Sequence, residues 1–119
     1  MEPKSVVARY AEGGLNGELV SEVRLRQRDG FLRAAFPDLE LRPRLLVAEG
    51  ALVAGHFTAR GTHLGLFQGV PPTGRRWEAA CTAVYRVAGG RIADAWVTWD
   101  QLALLEQLGA VERVATVSA

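Results

Sequence analysis

Residues 52–62, LVAGHFTARGT, and residues 77–99, WEAACTAVYRVAGGRIADAWVTW, decide how this chain folds. In the first, Val53, Gly55, Phe57 and Ala59 share one side. Leu52, Ala54, His56, Thr58 and Arg60 share the other, the two-residue period of a strand. The second reads as two strands, 77–87 and 91–99, joined by Gly89-Gly90, the signature of a tight antiparallel hairpin. Working upstream, residues 41–48 read as a further strand with Leu45 and Val47 on one face, closed by a turn at Glu49-Gly50. Between the second and third strands, Pro71-Pro72-Thr73-Gly74 forces a loop.

The first third has a different period. Ser5 is placed to cap a short helix with Val6, Val7 and Tyr10 on one side, ended by Gly13-Gly14. Residues 15–19 read as a turn or a second helix start. Residues 21–35 contain an alternating stretch, but over the longer window Val20, Val23, Phe31 and Ala34 line one helical face, with Leu25 and Leu32 away from it. A helix is favoured, weakened by Gly30 and stopped by Pro37. After the last strand, Asp100 opens a short helix with Leu102, Leu105 and Leu108 on one face and Gly109 at its end. Residues 111–119 are either a partner contact or disordered. Helices first and a meander of strands second predict an α+β fold. Strands that are apolar on both faces need cover on both. Helices supply one cover, and a second copy of the chain, in a homodimer, supplies the other.

With 119 residues, 49% of them hydrophobic, the chain suits one globular domain, 1–119. A net charge of +1 gives no long-range pull toward nucleic acid or an anionic membrane surface. Cys81, the single cysteine, excludes an internal disulfide and reads as a core residue. No apolar run is long enough to span a membrane, so a cytoplasmic protein is the default expectation. Arg24, Arg26 and Arg28, and Arg75 with Arg76, read as solvated faces. No phosphate loop or Gly-x-Ser-x-Gly elbow is present, and two histidines seven residues apart without a cysteine cluster do not make a metal site.

Several pieces recur in a familiar order: Phe36-Pro37-Asp38-Leu39, Val47-Ala48-Glu49-Gly50, Gly61-Thr62-His63-Leu64-Gly65, and Gly69-Val70-Pro71-Pro72-Thr73-Gly74-Arg75. Tyr85-Arg86 before Gly89-Gly90-Arg91-Ile92, then Trp96, Asp100 and Gln107-Leu108-Gly109, complete the set. On these residues the chain resembles the SnoaL-like family of polyketide cyclases, also called ester cyclases. The resemblance implies a nuclear transport factor 2-like cone, a curved sheet wrapped around helices with an internal pocket. It also implies ring closure of a hydrophobic polyketide-type molecule in secondary metabolism, without cofactor or metal. Three features depart from the family pattern: Ala95 stands where a histidine is usual, Ala51 where an aspartate is usual, and the N-terminal part is short by one segment.

The resemblance makes Asp100 the acid/base residue. A carboxylate of raised pKa in an apolar pocket, near Trp96 and Trp99, would remove a proton from a carbon between carbonyls. The same aspartate is equally a helix N-cap. His63 is the second catalytic candidate, either polarising a carbonyl or pinning its glycine-flanked loop. His56, Phe57, Tyr85 and Trp96 are the candidate substrate contacts, with Trp77 and Phe67 as further aromatic lining; each reads equally as core or surface. Asp94 lies six residues before Asp100, about 20 Å along a strand, too far for a paired acid and base. A non-catalytic binding or dimerisation module on the same fold is the rival reading.

Overall fold

Proline is well tolerated in the first turn of a helix, where an amide hydrogen has no partner to lose. Pro3 accordingly begins α1 (Pro3–Glu12) in the computed structural model, which describes residues 2–111. The cap position is Glu2, so the expected cap Ser5 lies inside the helix. Val6, Val7, Tyr10 and Ala11 are buried. Gly14 takes φ +64° and turns the chain out, and a short 3-10 turn, Gly17–Leu19, follows, with the Asn16 side chain accepting from the amide of Glu18. Most of residues 111–119 lie outside the described residues, and so does any role for that tail.

Helix α2 (Val23–Ala35) corrects the expected packing face. Val23 and Phe31 are 52% and 75% exposed, while Leu25, Asp29 and Ala35 are buried and Leu32 is half-buried. Residues 25, 29, 32 and 36 also follow helical spacing. That stripe faces inward because Asp29, its one charged member, finds a buried partner. Of the rival stripe, Val23, Phe31 and Ala34 face solvent, while Val20, which precedes the helix, is buried.

The sheet is a four-stranded antiparallel meander in the order β1-β2-β3-β4. Its strands are β1 (Glu40–Glu49), β2 (Leu52–Thr62), β3 (Arg76–Ala88) and β4 (Arg91–Trp99). Its concave face carries Val53, Phe57 and Ala59 from β2 and Trp77, Ala79, Cys81, Ala83 and Tyr85 from β3, all buried. Register places Ala95, Val97 and Trp99 on that face too, opposite Tyr85, Ala83 and Cys81. A bulge between Pro43 and Leu45 reverses the alternation of β1. Leu41 therefore faces the core, whereas Leu45 and Val47 join Leu52 and Trp96, exposed on the convex face. Helix α1 packs over the sheet, chiefly on β1. Helix α3 (Gln101–Gln107) packs on β3. Its buried residues are Leu104 and, just beyond its end, Leu108; Leu102 is exposed, contrary to the expected face. Seven helical residues turn less than two full turns, so the angle of docking, not periodicity alone, decides which leucine is covered.

Candidate active site

The site is built where α2 stands back from the sheet. A cavity of about 280 Å³ lies between them. Leu32 of α2 and Phe36 just beyond its end form one wall; Trp77 of β3 with Val97 and Trp99 of β4 form the floor; Phe67 and Leu104 close the sides. The exposed residues Arg28, Gln68 and Gln101 form a polar rim. Phe36 anchors an aromatic group, with ring centroids 5.0 Å from Phe67 and 4.7 Å from Trp77, while Trp77 sits 6.3 Å from Trp99. Tilted and edge-on pairs of this kind are favoured by ring quadrupoles and leave faces available for contact.

The loop after β2 forms one side of this cavity because Gly65 allows it to approach α2. A Cβ there would lie 2.2 Å from the carbonyl oxygen of Ala34. The amides of Leu64 and Gly65 both donate to the carbonyl of Ala35, at 3.0 Å each. The loop tip turns at Phe67–Val70 with Gln68 at φ +46°, uncommon for a residue with a side chain. The Gln68 side-chain oxygen accepts from Gln101 Nε2 at 2.5 Å, linking the loop to α3 across the rim.

A narrow extension of about 10 Å³ adjoins the cavity. That is room for about one water molecule. Arg28, Leu32, Val97 and Trp99 line both spaces. At its inner end Tyr10 Oη donates to Asp29 Oδ2 at 2.6 Å. Asp29 is 1% exposed. Burial pushes its carboxyl up to about 6, against the opposing pull of the Tyr10 hydrogen bond and the charges of Arg28 and Arg33. Burial and the Asp29 charge together hold the Tyr10 hydroxyl well above its ordinary range. Burial raises the Tyr85 hydroxyl as well and pushes the Cys81 thiol up to about 11, leaving it a poor nucleophile. Trp77 adds a buried indole N–H with no hydrogen-bond partner among the described residues.

The residues expected from sequence are dispersed. Asp100 is exposed, and its Oδ1 accepts from the amide of Ala103 at 3.2 Å, capping α3 beside Gln101 of the rim. The enclosed carboxyl expected at the end of β4 is thus not found, because the chain leaves the sheet there and the side chain turns back to its own helix. His63 is buried, and its Nδ1 accepts from the amide of Thr73 at 3.2 Å and lies 2.9 Å from Thr73 Oγ1. Accepting at Nδ1 puts the ring proton on Nε2, which lacks a partner among the described residues and belongs to a ring 5.9 Å from that of Phe36. His63 pins the loop and is not among the cavity-lining residues.

His56 and Trp96 lie on the convex face, correcting their expected place in the pocket. His56 is exposed beside Thr82, and Trp96 is 55% exposed and pairs with Val84. Phe57 and Tyr85 are buried on the concave face with rings 6.2 Å apart. Of the two, Tyr85 borders the narrow extension. Trp77 and Phe67 do line the cavity. Asp29 and Tyr10 are not a pair that the sequence announces. The signal that points to Asp29 is its place on the stripe 25, 29, 32 and 36, but nothing local links it to Tyr10, nineteen residues away.

Among the described residues, no three His, Cys, Asp or Glu side chains gather as a metal site, and no helix is long and apolar enough to cross a membrane. The chain is similar in structure to AclR from Streptomyces galilaeus, a candidate hydroxylase. The two share 27% identity at a TM-score of 0.72, over 98% of this chain and 82% of the other. It is also similar to IdmH from Streptomyces antibioticus, a candidate polyketide cyclase. Here identity is 28% and the TM-score 0.69, over 92% of this chain and 99% of the other. TsrD from Streptomyces laurentii, at 22% identity and TM-score 0.75 over 92% and 93% of the two chains, shares the fold. That fold is the nuclear transport factor 2-like α+β cone. No curated protein matches the chain significantly. The family profile described as SnoaL-like polyketide cyclase matches residues 6–108.

Proposed function

The chain belongs to the SnoaL-like polyketide cyclase family, and from that premise we propose a cyclase-type catalyst whose reaction chamber is the cavity between α2 and the sheet. The substrate is a hydrophobic polyketide-type small molecule of secondary metabolism, closed into a ring by aldol or related acid/base chemistry. The observation that carries this reading is the cavity's lining, an aromatic floor and walls with a rim of Arg28, Gln68 and Gln101. Such a lining desolvates a flat carbonyl compound while orienting its polar end. At about 280 Å³ the space suits one or two fused rings, with a longer chain leaving over the rim.

In this reading the protein is one domain that needs no cofactor. Asp100 serves by holding α3, and with it Gln101 and Leu104, against the chamber. The convex face, with Leu45, Val47, Leu52 and Trp96 exposed, is the surface for a second copy of the chain in a homodimer. Sedimentation of the wild type against Trp96→Asp tests this, and a wild-type monomer at tens of micromolar removes it.

The test of the chamber uses 2-tetralone, a bicyclic aromatic ketone, as probe. Titration is expected to quench tryptophan fluorescence through Trp77 and Trp99. Val97→Trp, which fills the floor, is expected to weaken binding at least tenfold while leaving the fold intact by circular dichroism. Binding that ignores Val97→Trp places the ligand elsewhere and ends the reading. The rival, a binding or dimerisation module without catalysis, is favoured by the exposure of Asp100 and by Ala95. It predicts binding of the probe with no chemistry on any carbonyl compound.

A further inference from the structure

The strongest unassigned feature is the buried Asp29–Tyr10 pair at the inner end of the narrow extension. We propose that Asp29 is the catalytic acid/base group of the chamber and that Tyr10 is its positioning residue. This rests on the cavity being the reaction chamber.

Three observations support it. Asp29 is the one buried carboxylate among the described residues. It lines the narrow extension, which shares Arg28, Leu32, Val97 and Trp99 with the cavity. Its Oδ2 is oriented by Tyr10 at 2.6 Å. A carboxylate in such a position is a stronger base than one in water, because burial disfavours its charge. A purely structural buried aspartate would sit in a closed core; this one borders a space continuous in its walls with an apolar chamber. Arg28, adjacent in sequence, lines both spaces and places a cation where an enolate oxygen develops.

The step balances without a co-reactant. The Asp29 carboxylate takes a proton from a carbon flanked by carbonyls, and the C–H electron pair becomes the enolate. The enolate carbon attacks a second carbonyl carbon of the same molecule. A C–C bond forms, the C=O π pair moves to oxygen, and that alkoxide takes the proton back from Asp29. Nothing is oxidised or reduced.

The titratable groups facing Asp29 are Tyr10 from α1, Arg28 and Arg33 on its own helix, and Cys81 and Tyr85 from β3. β1 and β4 contribute Leu41, Val97 and Trp99, which do not titrate. The neutral hydroxyls and thiol stay protonated through the neutral range, so one ionisation dominates there.

The experiment follows exchange of the α-protons of 2-tetralone for deuterium in heavy water by NMR, beside the fluorescence titration. Wild type is expected to accelerate exchange above the solvent background, with a rate that rises to a plateau around a midpoint near 6. Asp29→Asn is expected to lower the enzymatic rate about 100-fold or more, the range of a lost general base, with probe binding retained. Tyr10→Phe removes a hydrogen bond to the ionised form, so the midpoint moves to higher pH, a change that a merely structural role would not produce. Asp94→Asn, which lines neither space, is expected to keep the exchange. Exchange that survives Asp29→Asn, or wild-type binding without exchange, overturns the assignment of Asp29 while leaving the chamber standing. Absence of binding by the wild type removes the chamber and this assignment together.

Discussion

Asp29, at the narrow end of the cavity, and Asp100, beside its polar rim, carry the same side chain in opposite surroundings. Asp29 is held in a buried recess by a tyrosine from another helix. Asp100 meets solvent and spends one oxygen on the first turn of its own helix. The contrast shows that a carboxylate's chemistry is set by what is packed around it. A cap needs only the next three residues, whereas a buried acid needs a partner brought from a distant part of the chain.

The sharpest way to break this comparison is pH. The Asp29 carboxyl is raised above its ordinary value, so folding favours its protonated form. Its contribution is fully present below about pH 4 and is lost as pH rises through about 6. With one pKa unit worth about 1.4 kcal/mol, the loss approaches ~3 kcal/mol. Chemical denaturation of wild type and Asp29→Asn between pH 4 and 8 is expected to show this slope in the first protein and its absence in the second. Equal slopes would place Asp29 in solvent, like Asp100.

A smaller effect is expected from Tyr10→Phe. At pH 8 the ionised carboxylate loses its donor, at a cost of about 2 kcal/mol, the range for a hydrogen bond to a charged group. At pH 4 the cost falls, because the acid is neutral. The smallest effect belongs to Asp100→Ala, about 1 kcal/mol for a lost N-cap, read as a lower melting temperature. A loss of 3 kcal/mol or more at Asp100 would mean that its surroundings are not those of a surface cap.

Much of the sheet was legible. β2 and β4 begin and end where alternation and the Gly89-Gly90 hairpin place them, because a two-residue period interrupted by glycines has few other solutions. The resemblance carried by residues 36–109 also gave the family. The helix faces were not legible. α2 offers two stripes at nearly the same spacing, and the apolar count favours the one that is exposed. The stripe containing Asp29 looks wrong until Tyr10 is supplied from α1. For the same reason the sequence leaves open which of Trp96 and Trp99 faces the pocket. Three residues apart on one strand, they face opposite ways, and pairing with Val84 and Cys81 decides which is inside.

Period, turn chemistry and motif order are local properties of the chain, and they determined the meander, the helices and the family. The recess around Asp29, the outward turn of His56 and Trp96, and the use of Asp100 as a cap were decided by tertiary structure. Each depends on which distant surface arrives opposite a side chain, and the spacing of residues along the sequence does not carry that information.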